Sequence, residues 1–162
     1  MPSSPDSQPP CHEFDLNRLS VRFDITVPAE TASISAVADG VMKVVSATGC
    51  ACGREFELEV SLREALANAV LHGARSDPSQ QVQCCVACDP EHGMLVVVRD
   101  PGKGFDPASL PSPLYGEQLF SEHGRGLFLI NQMMDDVQFH RGGAEIRMRK
   151  LPPSDPCRRE KP

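Results

Sequence analysis

The chain has 162 residues, 40% of them hydrophobic and 23% charged, enough length for one folded unit with a real core; a wholly disordered chain and a fibrous repeat are excluded. Lys and Arg number 16 against 22 Asp and Glu, a net charge of −6, and no basic run is longer than Arg158–Arg159, so nucleic acid is not an expected partner. No segment approaches the roughly 18 apolar residues of a membrane span, and no basic stretch followed by an apolar run opens the chain, so the expectation is a cytoplasmic protein without membrane association.

Residues 1–13 are rich in Pro and Ser and read as a disordered N-terminal tail; residues 152–162, punctuated by Pro153, Pro156 and Pro162, read as a disordered C-terminal tail. A single domain over 14–151 lies between them. Leu19 to Val27 alternates apolar and polar at every position, which predicts a strand with one buried face, stopped by Pro28. Thr31 is the expected cap of a helix to about Ala47, with Ile34, Val37, Ala38, Val41, Val44 and Val45 on one stripe. A second helix is predicted from Glu55 to Leu71, its core face built from Leu58, Leu62, Ala65, Leu66, Ala69 and Val70, with Gly73 ending it.

Strands follow at about 81–88 and 94–99, joined through the turn-rich Asp89-Pro90-Glu91-His92-Gly93. Residues 101–123 carry four prolines and little periodicity, and Pro107 to His123 has the size and composition of a lid. Helical spacing returns over Gly126–Asp136, and strands at about Val137–His140 and Ala144–Arg149, joined through Gly142-Gly143, finish the domain. Hairpins interleaved with helices imply an α+β fold: a two-layer sandwich of a mixed, mostly antiparallel sheet covered on one face by helices.

Seven cysteines stand at positions 11, 50, 52, 84, 85, 88 and 157, an odd count with no second C-x-x-C to complete a zinc site. Alternation along the strand sends Cys85 and Cys88 to opposite faces, so no metal is expected on them. The reading is of small, buried, unpaired apolar residues.

Three features carry chemistry. On the second helix Glu64, Asn68 and His72 recur every four residues and line one stripe beside the apolar face. After the strand Met94–Arg99 comes Asp100-Pro101-Gly102-Lys103-Gly104. A carboxylate at a strand end can accept from an exocyclic amino group, and glycines let the backbone approach a flat ring, which suits adenine. Gly124-Arg125-Gly126-Leu127 then opens a helix, where backbone N–H groups left uncovered by glycine bind phosphate oxygens and Arg125 adds a charge-assisted contact.

In this order the three features resemble the GHKL, or Bergerat-fold, ATPases and kinases over about residues 20–150. Glu64 to Gly73 is similar to that superfamily's N box, Asp100 to Gly104 to its G1 box, and Gly124 to Ile130 to its G2 box. The short lid and the Glu four residues before the Asn look most like the anti-sigma-factor serine kinases of bacterial partner-switching systems. The resemblance implies an ATP- and Mg²⁺-dependent serine/threonine protein kinase that phosphorylates a small anti-sigma antagonist protein, sequesters a sigma factor and forms a homodimer. It further implies that Asn68 binds Mg²⁺, that Glu64 is the general base, and that Asp100 reads the adenine amino group. His72, Gly102, Gly104, Gly124, Arg125, Gly126 and Leu127 would complete the nucleotide site. One departure stands out: the last strand begins Gly143-Ala144 where relatives have Gly-Thr, which removes one hydroxyl from the adenine side. The alternative is a module that binds ATP without phosphotransfer and acts by sequestration alone. His12-Glu13-Phe14 resembles the phosphoacceptor box of sensor histidine kinases only superficially, since no Pro follows and eleven preceding residues cannot supply a helical hairpin.

Overall fold

The computed structural model describes residues 21–89, 93–104 and 122–152. The elements run β1 (Val21–Pro28), α1 (Thr31–Thr48), α2 (Glu55–Ala67), a π-helical turn (Asn68–Gly73), β2 (Gln81–Asp89), β3 (Gly93–Arg99), α3 (Glu122–Met133), β4 (Asp136–His140), a short 3₁₀ turn (Arg141–Gly143) and β5 (Glu145–Lys150). The strands form one sheet in the order β1-β2-β3-β5-β4, and all four pairings are antiparallel. This is the expected α+β sandwich, with the three helices on one face. The tails, the turn at 90–92, most of the anticipated lid and the His12 segment lie outside the described residues.

The main core lies between that face and the helices, where Leu58, Leu62 and Leu66 of α2 meet Val82, Val86, Val96, Ile130 and Met148, all buried. The opposite face carries a second buried apolar group of Cys85, Ala87, Leu95 and Val97. This explains why Met94 to Val98 is an unbroken apolar run: a strand buried on both faces has no polar side to alternate with. Beside that group, Glu145 is 1% exposed and accepts hydrogen bonds from Arg99 Nε at 2.6 Å and Arg147 Nε at 2.7 Å. Lys150, on the helical side of β5, donates to the Met133 carbonyl at 2.5 Å and pairs with Glu57, tying β5 to the end of α3 and the start of α2.

Several boundaries differ from the sequence reading. Thr31 is the first helical residue rather than the cap; Glu30 occupies the cap position without a side-chain bond. Val44 is 39% exposed, on the flank of the stripe rather than in it. The second helix stops being α-helical at Ala67, and the bond from Ala74 N–H to Ala69 carbonyl at 2.8 Å spans five residues, as π-helical bonding requires. The third helix begins at Glu122, so Glu122 and His123 belong to it and not to a lid, and Gly124 to Gly126 lie inside its first turns rather than ahead of it.

The reading of the cysteines as unpaired is overturned. Cys50, in the α1–α2 connection, is joined by a disulfide to Cys88 at the end of β2, with 6.2 Å between their Cα atoms. Cys52 and Cys85 are also disulfide-bonded, which leaves Cys84 as the free thiol among the described residues. Pairing was missed because the partners are 38 residues apart in sequence and only the packing of the α1–α2 connection against the end of β2 brings them together. Cys84 does behave as the small buried residue expected: burial, and then the charge of Asp24, push its thiol up to about 12. Cys85 and Cys88 do face opposite sides of the sheet.

Candidate functional site

A cavity of about 360 Å³ opens between α2 with its π-helical turn, the end of β3 and the start of β5, a volume suited to a small-molecule ligand. Its apolar walls include Ala65 and Ala69 from the helix side and Val98, Phe139 and Ile146 from the sheet. Asn68, His72, Asp100, Gly102, Gly104 and Leu127, all singled out from the sequence, line it. Glu64, Gly124, Arg125 and Gly126 do not; they stand beside it, where α3 crosses α2.

One end of the cavity is built around Asp100. Its backbone N–H donates to the Ala144 carbonyl at 2.9 Å, which fixes the end of β3 against the start of β5. Its carboxylate accepts from Gly102 N–H at 2.7 Å, so the turn holds the side chain in place. Burial raises its pKa, and the Gly102 bond offsets this only in part. The surrounding glycines are required by close approach. A Cβ on Gly73 would collide with the Asp100 carboxylate, one on Gly102 would stand 2.5 Å from the Gly73 carbonyl oxygen, and one on Gly104, at φ 75°, would strike the Gly142 backbone.

The other end is built around Asn68. Its Nδ2 is buried and has no hydrogen-bond partner among the described residues, a cost that a ligand oxygen would remove. Gly126 of α3 passes directly over this point: a Cβ there would stand 2.7 Å from Glu64 Oε2 and 3.5 Å from Asn68 Nδ2. Glu64, Asn68 and the first turns of α3 therefore converge, and the α3 glycine exists because a side chain would fill the space between them. The π-helical turn also matters here. Its wider winding keeps His72 near the face that carries Glu64 and Asn68, where an α-helix would drift away from it.

The cavity suits a nucleotide polyphosphate. Among the described residues Asp100 is the single carboxylate in its lining, against His72, Arg75 and Lys103. Among the described residues there is no group of three His, Cys, Asp or Glu that could hold a metal by itself. A cation at Asn68 would have one neutral protein ligand and would depend on ligand oxygens for the rest, as Mg²⁺ beside phosphates does. Arg75 and Lys103 also line the cavity and were not singled out from the sequence, because a lone basic residue in a loop carries no pattern. Ala144 is 5% exposed and lines the cavity next to Asp100, at the point where the missing hydroxyl was anticipated.

Comparison with known proteins agrees with this geometry. Over 136 residues the chain is 26% identical to the Serine-protein kinase RsbW of Bacillus cereus (strain AH187), covering 80% of this chain and 84% of that protein. It is 25% identical over 139 residues to the protein of the same name from Bacillus thuringiensis (strain Al Hakam), with the same coverage. The relative from Bacillus anthracis (strain A0248) is 26% identical over 136 residues. No helix among the described residues is long and apolar enough to cross a membrane. Residues 27–150 match the histidine kinase-like ATPase domain, a span that contains every element of the cavity, and the chain belongs to that family, as its resemblance to the GHKL ATPases implies.

Proposed function

We propose that this protein is an ATP-dependent serine/threonine kinase of a partner-switching system, one that phosphorylates a small antagonist protein and sequesters a sigma factor in the cytoplasm. The observation that carries the reading is the convergence of Glu64, Asn68 and Gly126 at one end of a cavity whose other end is the braced carboxylate of Asp100. The names of the relatives support the choice of serine as acceptor. ATP with Mg²⁺ supplies the phosphoryl group and the neutralisation of its charge; the rest of the work falls to the chain.

Asp100 accepts from the amino group of adenine, while Gly102 and Gly104 let the backbone lie against the base. Asn68 offers its amide oxygen to the metal and His72 stands at the rim beside it. Gly124, Arg125, Gly126 and Leu127 stand in the first turns of α3, where the glycines leave room for phosphate oxygens and the Arg125 guanidinium holds them. Glu64, one helical turn before Asn68, takes the proton of the attacking hydroxyl on its carboxylate. By resemblance the working unit is a homodimer.

A second reading, sequestration without phosphotransfer, is favoured by Ala144, which leaves the adenine side one hydroxyl short. Incubating the protein with γ-labelled ATP, Mg²⁺ and the antagonist-type proteins of the same genome separates the two. Label on a serine or threonine of one partner is the expected result. Partner binding that responds to ATP, with no label on any cognate antagonist, would replace the kinase reading by sequestration.

A further inference from the structure

The connection between the π-helical turn and β2 contains two consecutive residues in the left-handed region, Arg75 at φ 53° and Ser76 at φ 55°. Neither is Gly or Asn, so the backbone here carries strain that glycine would relieve. The loop imposes it: Ser76 N–H donates to the Val70 carbonyl at 2.8 Å, Asp77 N–H to Ala74 at 3.1 Å, and Gln80 N–H to Asp77 at 3.0 Å. Asp77 Oδ1 also accepts from Ser79 N–H and Oγ, so the segment is bonded along its length and has little freedom to relax.

Strain of this kind persists where something else profits from it. Arg75 lines the cavity and is exposed, and among the described residues it has neither a hydrogen bond nor an ion pair. In contrast, Arg54, Arg63, Arg99 and Arg147 each have a carboxylate partner. Its place along the cavity is set by Gly73, two residues earlier, whose Cα abuts the Asp100 carboxylate and whose carbonyl oxygen packs on Gly102. Asn68 lies five residues back along the helix, roughly 7 Å by helical rise. Arg75 therefore rises from the Asp100 end, away from Glu64 and Asn68.

We infer that Arg75 is a further binding residue of the nucleotide site, its guanidinium plane stacking on the face of the base that the sheet wall leaves open. A planar, weakly hydrated cation is well suited to a heteroaromatic face, whereas a lysine ammonium lacks the plane. Arg75 lines the cavity from this left-handed stretch of backbone. This inference rests on the cavity being an adenine nucleotide site.

Calorimetric titration of AMP, ADP and ATP into the wild type, Arg75→Gly and Arg75→Lys, with melting temperatures recorded in parallel, tests it. Arg75→Gly is expected to raise the melting temperature by about 2–4 °C, because glycine relieves the strain, yet to weaken all three nucleotides by a similar factor of roughly 3- to 30-fold. Arg75→Lys keeps the charge and should lose most of the same affinity. A loss that grows with phosphate number and is restored in Arg75→Lys would make Arg75 a phosphate ligand and overturn the stacking role. Unchanged affinity in Arg75→Gly, while the wild type binds, would overturn it as well. A wild type that binds no adenine nucleotide would remove the site reading itself.

Discussion

In the proposed site Asp100 is the residue that recognises the base, and its surroundings give two opposed expectations. Replacing it by Asn puts a donor where the adenine amino group needs an acceptor, so ATP and ADP should bind about 1–3 kcal/mol more weakly by calorimetry. Burial raises the native pKa of this carboxyl above its unfolded value, so in the range between the two the folded chain holds the proton more readily than the unfolded one. Stability from this group therefore falls as pH rises through that range, and Asp100→Asn should flatten the fall in pH-dependent urea melts. Nucleotide affinity should move the other way, declining on acidification from a pH above the ordinary aspartate range. Equal ATP affinity in wild type and Asp100→Asn would remove the residue from the site. Asp100, Asn68 and the glycines were legible in the sequence because each is a residue type that its position demands. Arg75 was not, because what singles it out is a backbone angle.

At the scale of elements, β3 and β5 connect the fold to the site. Arg99 precedes Asp100, Glu145 follows Ala144, and the two are register partners across the strands. Burial would by itself raise the Glu145 carboxyl; the hydrogen bonds and charges of Arg147 and Arg99 outweigh it and hold the carboxyl below its usual range. A depressed native pKa gives stability that is present above the unfolded value and lost as pH falls through the native one. Glu145→Ala should cost about 3–5 kcal/mol in urea denaturation, since two arginines lose their buried partner, and should abolish this part of the acid sensitivity. A change under 1 kcal/mol would show that the triad does not lock the strands. The Cys50–Cys88 bond acts on α2 in the same way, anchoring the loop that leads into it. Cys50→Ser should lower stability by about 2–4 kcal/mol, read as a drop in the denaturation midpoint of the oxidised protein. An identical midpoint in wild type and Cys50→Ser would mean that packing alone holds the loop. In a reducing cytosol the two residues stand as thiols and the loop depends on that packing. Strand and helix existence was legible from alternation and stripes. The π-helical turn, the early start of α3 and the disulfide were not, because each is decided by contacts between segments distant in sequence.

For the whole molecule, the order of elements and the α+β architecture followed from periodicity, since one apolar stripe per helix leaves few ways to cover a sheet. The meeting of α2 with α3 did not, because nothing local says that Gly126 rests over Glu64 and Asn68. In the proposed mechanism that meeting places the general base beside the metal-binding amide, and Glu64 is the residue to test. Glu64→Gln preserves volume and helix propensity and leaves Asn68 and Asp100 in place. The direct test is single-turnover phosphoryl transfer from ATP to the cognate antagonist in wild type and Glu64→Gln, with ATP affinity measured on the same samples. Affinity should be nearly unchanged and the rate lower by roughly 10²–10⁴-fold, the usual worth of a positioned general base. Equal single-turnover rates in the two proteins, with the wild type active, would contradict it.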